Sequence, residues 1–73
     1  MIKDPEVAKQ INELMLEYGK KLDLSVKLVF ENCSKQELFD YRRAVGKVMG
    51  NMLTEIMNPL YKTHPDLKPN ELL

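Results

Sequence analysis

Apolar residues recur every three or four positions from Val7 onward, which is the spacing of a helix with one buried side. Asp4 offers a side-chain acceptor at the N-cap, and Pro5 suits the first helical turn because its missing N–H is not needed there. The pattern predicts a first helix over residues 5–32. Its apolar stripe comprises Val7, Ile11, Leu14, Met15, Tyr18, Leu22, Val26, Val29 and Cys33.

Residues 22–28 also fit a second interpretation. Apolar and polar side chains alternate strictly there, which is the period of a half-buried strand, and Gly19 is suited to end an earlier helix. A strand needs a neighbouring strand, however, and nothing later in the chain resembles one. We therefore favour a helix over residues 22–32, which leaves Leu24 and Leu28 one turn apart outside the main stripe.

A second helix is predicted to begin at Lys35. Ser34 and Glu37 form a capping box, in which each side chain bonds to the backbone N–H of the other residue. A broad apolar face follows, and it predicts a helix over residues 35–58. This face comprises Leu38, Tyr41, Ala44, Val45, Val48, Met49, Met52, Leu53, Ile56 and Met57.

Pro59 marks the end of the second helix. A proline inside a helix removes a hydrogen bond and clashes with the preceding turn, so the helix is expected to stop there or to kink into one further turn. Pro65 and Pro69 favour an extended segment after it. Residues 59–73 are thus predicted to form a turn and a tail that lies along the helices. Its expected anchors are Leu60, Tyr61 and Leu67.

The short connection between the two predicted helices requires an antiparallel hairpin. Residues 1–73 contain no repeat, flexible linker or low-complexity tract, which predicts a single helical domain. Two arms of about 25 residues cannot enclose a core by themselves, and their apolar faces are wider than a two-helix seam. The predicted fold is therefore all-α, a long helical hairpin with an extended proline-containing tail, and two copies are expected to pair into a homodimeric four-helix bundle.

Gly46 and Gly50 lie one turn apart in the middle of the second helix, where each costs about 1 kcal/mol relative to alanine. Such a pair lets another helix approach closely, so we expect a tight crossing with the first helix or with a dimer mate. The predicted interface residues are Leu24, Leu28, Gly46, Met49, Gly50 and Leu53.

Composition narrows the classes of function. The chain has 73 residues, of which 44% are hydrophobic and 30% charged, as expected for one small globular domain. Its eleven basic and eleven acidic residues cancel, which disfavours nucleic acids and anionic membranes as partners. No apolar run is long enough for a membrane span or a signal peptide. A single unpaired cysteine is typical of a reducing compartment, so a cytoplasmic protein is expected.

Candidate chemistry is sparse. One cysteine and one histidine can form neither an intrachain disulfide nor a zinc site, and no nucleophile–base pair is visible. We therefore predict no catalytic residue, metal ligand or cofactor, and the sequence favours a non-enzymatic role. Cys33 is expected to be a small buried hydrophobe and His64 a surface residue of the tail.

Arg42 is the one residue that suggests a ligand. At about 100° per residue it projects into the apolar face of the second helix, one turn from Gly46. A buried guanidinium needs a partner, so the favoured interpretation is either an ion pair with a glutamate of the first helix or an arginine that extends its charged end to solvent. The candidate partners are Glu13, Glu17 and Glu31. The alternative is an anion-binding pocket formed by Arg42, Tyr41 and Gly46.

The sequence predicts above all a small non-catalytic interaction or regulatory protein that acts as a homodimer, with another protein as a further candidate partner. One alternative is a small anionic-ligand-binding protein or minor enzyme with its site around Arg42 at the dimer seam. A second alternative is a nucleic-acid-associated regulator that uses Arg42, Arg43 and Lys47.

Overall fold

The computed structural model describes residues 1–69, and that part of the chain is helical without any strand. The observed fold is an all-α helical hairpin, so the strand interpretation of residues 22–28 was wrong. Residues 70–73 of the predicted tail lie outside the described residues. The helices are α1 (Pro5–Asn32), α2 (Lys35–Asn51), a π-helical segment (Met52–Met57), α3 (Asn58–Thr63) and a 3₁₀ turn (Pro65–Leu67).

Both long helices begin at the side-chain caps that the sequence predicts. The Asp4 carboxylate accepts hydrogen bonds from the backbone N–H groups of Glu6 (2.9 Å) and Val7 (3.2 Å). At the start of α2, the Glu37 N–H donates to Ser34 Oγ at 3.2 Å and the Ser34 N–H donates to Glu37 Oε1 at 3.0 Å. The capping box therefore satisfies two N–H groups that a helix start leaves unpaired.

The capping box makes a small part of the stability depend on pH. Hydrogen bonds from the Ser34 backbone and side chain lower the pKa of Glu37 from its usual value of 4.5. A lowered folded-state pKa means that this contribution is present above pH 4.5 and is lost as the pH falls through the folded-state value. We expect wild-type chains to lose this contribution in acid and Glu37→Gln chains to lack this component of the loss. Urea unfolding at pH 3 to 6 would measure the difference, and parallel curves for the two chains would contradict it.

The helical path continues past Pro59 because the turns before this proline are π-helical, and therefore wider than α-helical turns. Regular α-helix ends at Asn51, and the N–H of Asn58 bonds to the carbonyl of Leu53, five residues earlier. A proline ring clashes with the carbonyl four residues before it, and a wide π turn gives the ring room. The predicted helix over residues 35–58 thus corresponds to α2 plus the π-helical segment, and the predicted further turn is α3.

The two long helices contact each other along one half of each apolar face. Gly19 and Leu22 are half-buried on α1, and Val45 is 5% exposed on α2. Nearer the bend, the Ser25 hydroxyl donates to the Leu22 carbonyl, so the Tyr41 hydroxyl is the donor in its 2.7 Å bond to Ser25. The predicted stripe on α1 was too wide, because Val7, Leu14 and Tyr18 remain 39–47% exposed. The buried side of α1 contains Ala8, Asn12, Met15, Gly19 and Leu22, and its first two members lie level with the C-terminal segment.

The C-terminal segment closes the open end of the hairpin. Leu60 is fully buried, Tyr61 is 6% exposed and Leu67 is half-buried, so the three predicted anchors do face the helices. The Tyr61 hydroxyl donates to Asn12 Oδ1 at 2.5 Å, and Asn12 Nδ2 donates to the Leu67 carbonyl at 3.3 Å. We call Leu60, Tyr61 and Leu67, with Asn12, the C-terminal clasp. The segment is not wholly extended as predicted, because Pro65 begins a 3₁₀ turn.

The molecule is elongated, with extents of 44 × 20 × 16 Å. The 28 residues of α1 span about 42 Å at 1.5 Å per residue, so this single helix sets the longest dimension. Within the described range, no further element covers the middle of the hairpin. Each side chain in that stretch that points away from the seam therefore remains open to solvent.

Candidate interaction surface

Much of the apolar surface lies outside the seam between the helices. Among residues 1–69, the buried hydrophobic residues are Ala8, Val45, Met57, Leu60 and Tyr61. Large apolar side chains that stay more than a third exposed are more numerous than these. They are Met1, Val7, Leu14, Leu16, Tyr18, Leu24, Leu28, Phe30, Phe39, Val48 and Leu53.

An apolar groove of about 510 Å³ runs between α1 and the junction of α2 with the π-helical segment. Four of the five methionines line it, and their flexible, polarizable side chains suit an adaptable binding surface. Lys20 and Asp23 are its charged members. The methionine groove, as we call it, is lined by Met15, Leu16, Gly19, Lys20, Asp23, Met49, Gly50, Met52, Leu53 and Met57.

Gly46 and Gly50 do not mark a close crossing of the two helices in one chain. A Cβ atom added at either position would meet nothing within 4 Å, so this part of the prediction was wrong. The glycine that faces the other helix is Gly19, where an added Cβ would lie 3.8 Å from Met49 Cε. Because Gly46 and Gly50 leave a shallow open strip on α2, their cost in helix propensity has no compensating contact within the chain.

Arg42 is exposed and has no ion-pair partner within 4 Å among the described residues, so the predicted ion pair is not formed and the side chain is open to solvent. The apolar face of α2 is wide, and α1 packs on the half that contains Leu38, Tyr41 and Val45. Three residues turn a helix by about 300°, which is about 60° short of a full turn. Arg42 therefore lies about 60° around α2 from Val45, on the half that α1 leaves open. No buried guanidinium therefore needs a carboxylate.

The predicted ligand residues Arg42, Tyr41 and Gly46 do not surround one cavity. The Tyr41 hydroxyl is bonded to Ser25 and helps to hold α2 on α1. None of the three residues lines the methionine groove or a second groove, of about 570 Å³, beside Pro59 and Lys62. The structure thus brings together no anion-binding set from these residues.

The predicted interface residues fall on two separate faces. Met49, Gly50 and Leu53 line the methionine groove, and Gly46 lies one turn before Gly50. Leu24 and Leu28 are 60% and 62% exposed. Leu24 is two residues, or about 200°, from both Leu22 and Val26, which places it on the side of α1 turned away from α2.

Two further sequence predictions change in the structure. Cys33 is exposed, not buried, because it lies at the C-cap of α1 in the short connection to α2. His64 is half-buried, and its Nε2 donates to the Ile2 carbonyl at 2.8 Å, since a carbonyl oxygen can only accept. Both positions depend on where the chain turns, which helical periodicity does not define.

Asn12 is the buried polar residue that sequence reasoning missed. It is 6% exposed and holds Tyr61 and Leu67, residues far away along the chain. A signal was present, because Asn12 follows Ala8 by four residues and precedes Met15 by three, which is the spacing of a buried helix face. A polar residue at that spacing indicates a buried hydrogen-bonding partner.

Comparisons with protein families, with curated proteins and with solved structures find no match to this chain. No helix within residues 1–69 is both long enough and apolar enough to cross a membrane. In the same part of the chain, no three histidine, cysteine, aspartate or glutamate side chains converge as metal ligands would. Among the described residues, the exposed apolar side chains are therefore the feature that points to a function.

Proposed function

We propose that this protein is a small helical interaction module that acts as a homodimer and has no catalytic role. The single observation that carries the proposal is the imbalance between its buried and exposed apolar side chains. Among residues 1–69, only one large side chain, Leu60, is fully buried, whereas Leu28, Phe30 and Phe39 are each more than 60% exposed. Apolar surface of this extent on a small protein is typical of a protein–protein interface.

The accessible surface supports the same proposal. The chain exposes 5683 Å², whereas a compact monomer of 8.5 kDa is expected to expose about 4,700 Å². A stable protein–protein interface usually takes about 800 Å² from each partner, which is similar to this excess. A single small core without disulfides supplies only about 3–5 kcal/mol, so burial against a second copy would add stability that the isolated hairpin lacks.

A measurement of molar mass tests the dimer. Light scattering at micromolar concentration is expected to give a mass about twice the 8.5 kDa of the chain. Replacement of both Gly46 and Gly50 by alanine should stabilise the isolated helix by about 1 kcal/mol per site, because added Cβ atoms meet nothing within the chain. The same change should lower the dimer fraction if these glycines face the partner.

The control for the glycine variant is Lys47→Ala, which alters an exposed position between the two glycines in sequence. It should change neither the mass nor the helix stability by much. A wild-type mass of 8.5 kDa would contradict the homodimer.

A cytoplasmic location is part of the proposal, since the exposed thiol of Cys33 fits a reducing compartment. Neither alternative function has an observation in its favour. Arg42 lines neither of the two grooves described above, so neither of them supplies an anion site around it. Arg43 and Lys47 are exposed on a chain of zero net charge, which leaves nucleic-acid binding without an electrostatic driving force.

A further inference from the structure

The open half of α2 and the start of the π-helical segment carry a stripe that is symmetric about Gly46. Phe39 precedes Gly46 by seven residues and Leu53 follows it by seven, and seven residues is the repeat that keeps side chains along one side of paired helices. Phe39 is 62% exposed and Leu53 is 38% exposed. Large side chains therefore project from the two ends of the stripe, whereas Gly46 at its centre has no side chain.

We propose that two copies of this chain pair through this stripe, with α2 antiparallel to the partner's α2 and the two helices crossing at Gly46. The inference rests on the homodimer proposed above and specifies its surface. A two-fold axis level with Gly46 brings Phe39 of each copy opposite the partner's Leu53. Such self-complementarity is what a two-fold symmetric interface requires.

The methionine groove gives the exposed Phe39 ring a binding site on the partner. Leu53 forms part of the groove wall, together with Leu16 and Met57. An aromatic ring placed opposite the partner's Leu53 therefore meets a concave apolar surface, and methionine side chains pack well against aromatic rings. The open positions at Gly46 and Gly50 allow the two helix axes to approach closely enough for the ring to reach it.

The charges at the groove agree with the same two-fold axis. Tyr41 lies opposite Ser25, and Gly19 lies close to Met49. Counting along the antiparallel helices from these two pairs places Gly46 level with residues 20–22 of α1. Lys20 and Asp23 thus lie on either side of the axis, and antiparallel pairing brings Lys20 of each copy toward the partner's Asp23. The contact is attractive in both directions. Arg42 and Arg43 lie beside the stripe between Phe39 and Gly46, and the same axis places them opposite the partner's Gly50 and Met49, so these like charges do not face each other.

Disulfide cross-linking of the full chain tests this arrangement, with Cys33→Ser as the background because Cys33 is exposed. A disulfide needs Cα atoms within about 7 Å. Gly46→Cys lies at the axis and should cross-link to itself on a non-reducing gel, because oxidation traps even a dimer population that the added side chain makes smaller. Phe39→Cys should not cross-link to itself, because the two copies of that residue would be about 21 Å apart. A mixture of Phe39→Cys and Leu53→Cys chains should cross-link as the mixed pair.

The matched control is Leu28→Cys, which is 62% exposed on the other face and should remain monomeric on the gel. Circular dichroism verifies that each variant is helical before oxidation. If Gly46→Cys does not fold, the mixture of Phe39→Cys and Leu53→Cys chains tests the same arrangement.

Self-cross-linking of Phe39→Cys would overturn the antiparallel arrangement. A dimeric mass in light scattering, with cross-links at Leu28→Cys only, would overturn this surface and leave the homodimer standing. A monomeric mass would overturn both proposals.

Discussion

Replacement of Leu60 by alanine is expected to unfold a large fraction of the molecules. Leu60 is fully buried between the end of the hairpin and the C-terminal segment, and truncation of such a side chain costs about 2–5 kcal/mol. A chain of this size without disulfides has only about 3–5 kcal/mol of stability in total, so the loss is comparable with the whole. Urea unfolding followed by circular dichroism would show the midpoint shifted close to zero denaturant.

The control for Leu60 is Leu28→Ala, which removes the same atoms from a side chain that is 62% exposed. Its effect on the unfolding free energy should stay within about 0.5 kcal/mol, because little apolar contact is lost. Equal losses in the two variants would contradict the burial that we describe at the open end of the hairpin.

Loss of the hydrogen bond between the Asn12 and Tyr61 side chains is expected to cause the second largest decrease in stability. Tyr61→Phe removes the donor to Asn12 Oδ1, and a buried acceptor left unsatisfied costs about 1–3 kcal/mol. Asn12→Leu removes the acceptor of Tyr61 and the donor to the Leu67 carbonyl, with a similar cost. Because the two side chains share one hydrogen bond, the double variant should lose less than the sum of the single losses. Unfolding free energies of the four chains would measure this coupling.

Alkaline pH gives a separate measure of the burial of Tyr61. Burial raises the pKa of Tyr61 above its usual value of 10.0. A raised folded-state pKa means that the stabilising contribution is complete below pH 10 and is lost as the pH rises through the folded-state value. The wild-type chain should therefore lose stability above pH 10, and the Tyr61→Phe chain should lack that component. Strict additivity at neutral pH would contradict the contact between Asn12 and Tyr61, and equal alkaline curves would contradict the burial of Tyr61.

The interactions that the sequence predicts best are short-range. The bonds between Ser34 and Glu37 join residues three apart, so the local chain contains all the information that they need. The same holds for Asp4 and Pro5 at the start of α1. Arg42 illustrates the opposite case. Periodicity placed it on an apolar face, but only the packing of α1 decided which half of that face is covered.

The sequence predicted only part of the C-terminal clasp, because the rest depends on contacts between distant residues. Leu60 and Tyr61 could be identified as anchors because large apolar side chains favour burial. Asn12 could not be connected with them, since its partners are 49 and 55 residues away and no local pattern links such positions. The stripe around Gly46 is a similar case. The sequence indicates that Gly46 and Gly50 form a contact, but it does not identify the surface that they contact.

The sequence by itself determined that the chain is a helical hairpin, where its two long helices begin, and that its apolar faces are wider than one seam. Those properties depend on caps, periodicity and composition, which act over a few residues. Only the tertiary structure decided that α1 covers Val45 and leaves Arg42, Gly46 and Leu53 open, and that Asn12 holds the C-terminal segment. The physical reason is that periodicity defines the width of an apolar face, whereas packing between distant segments selects the part of it that is buried.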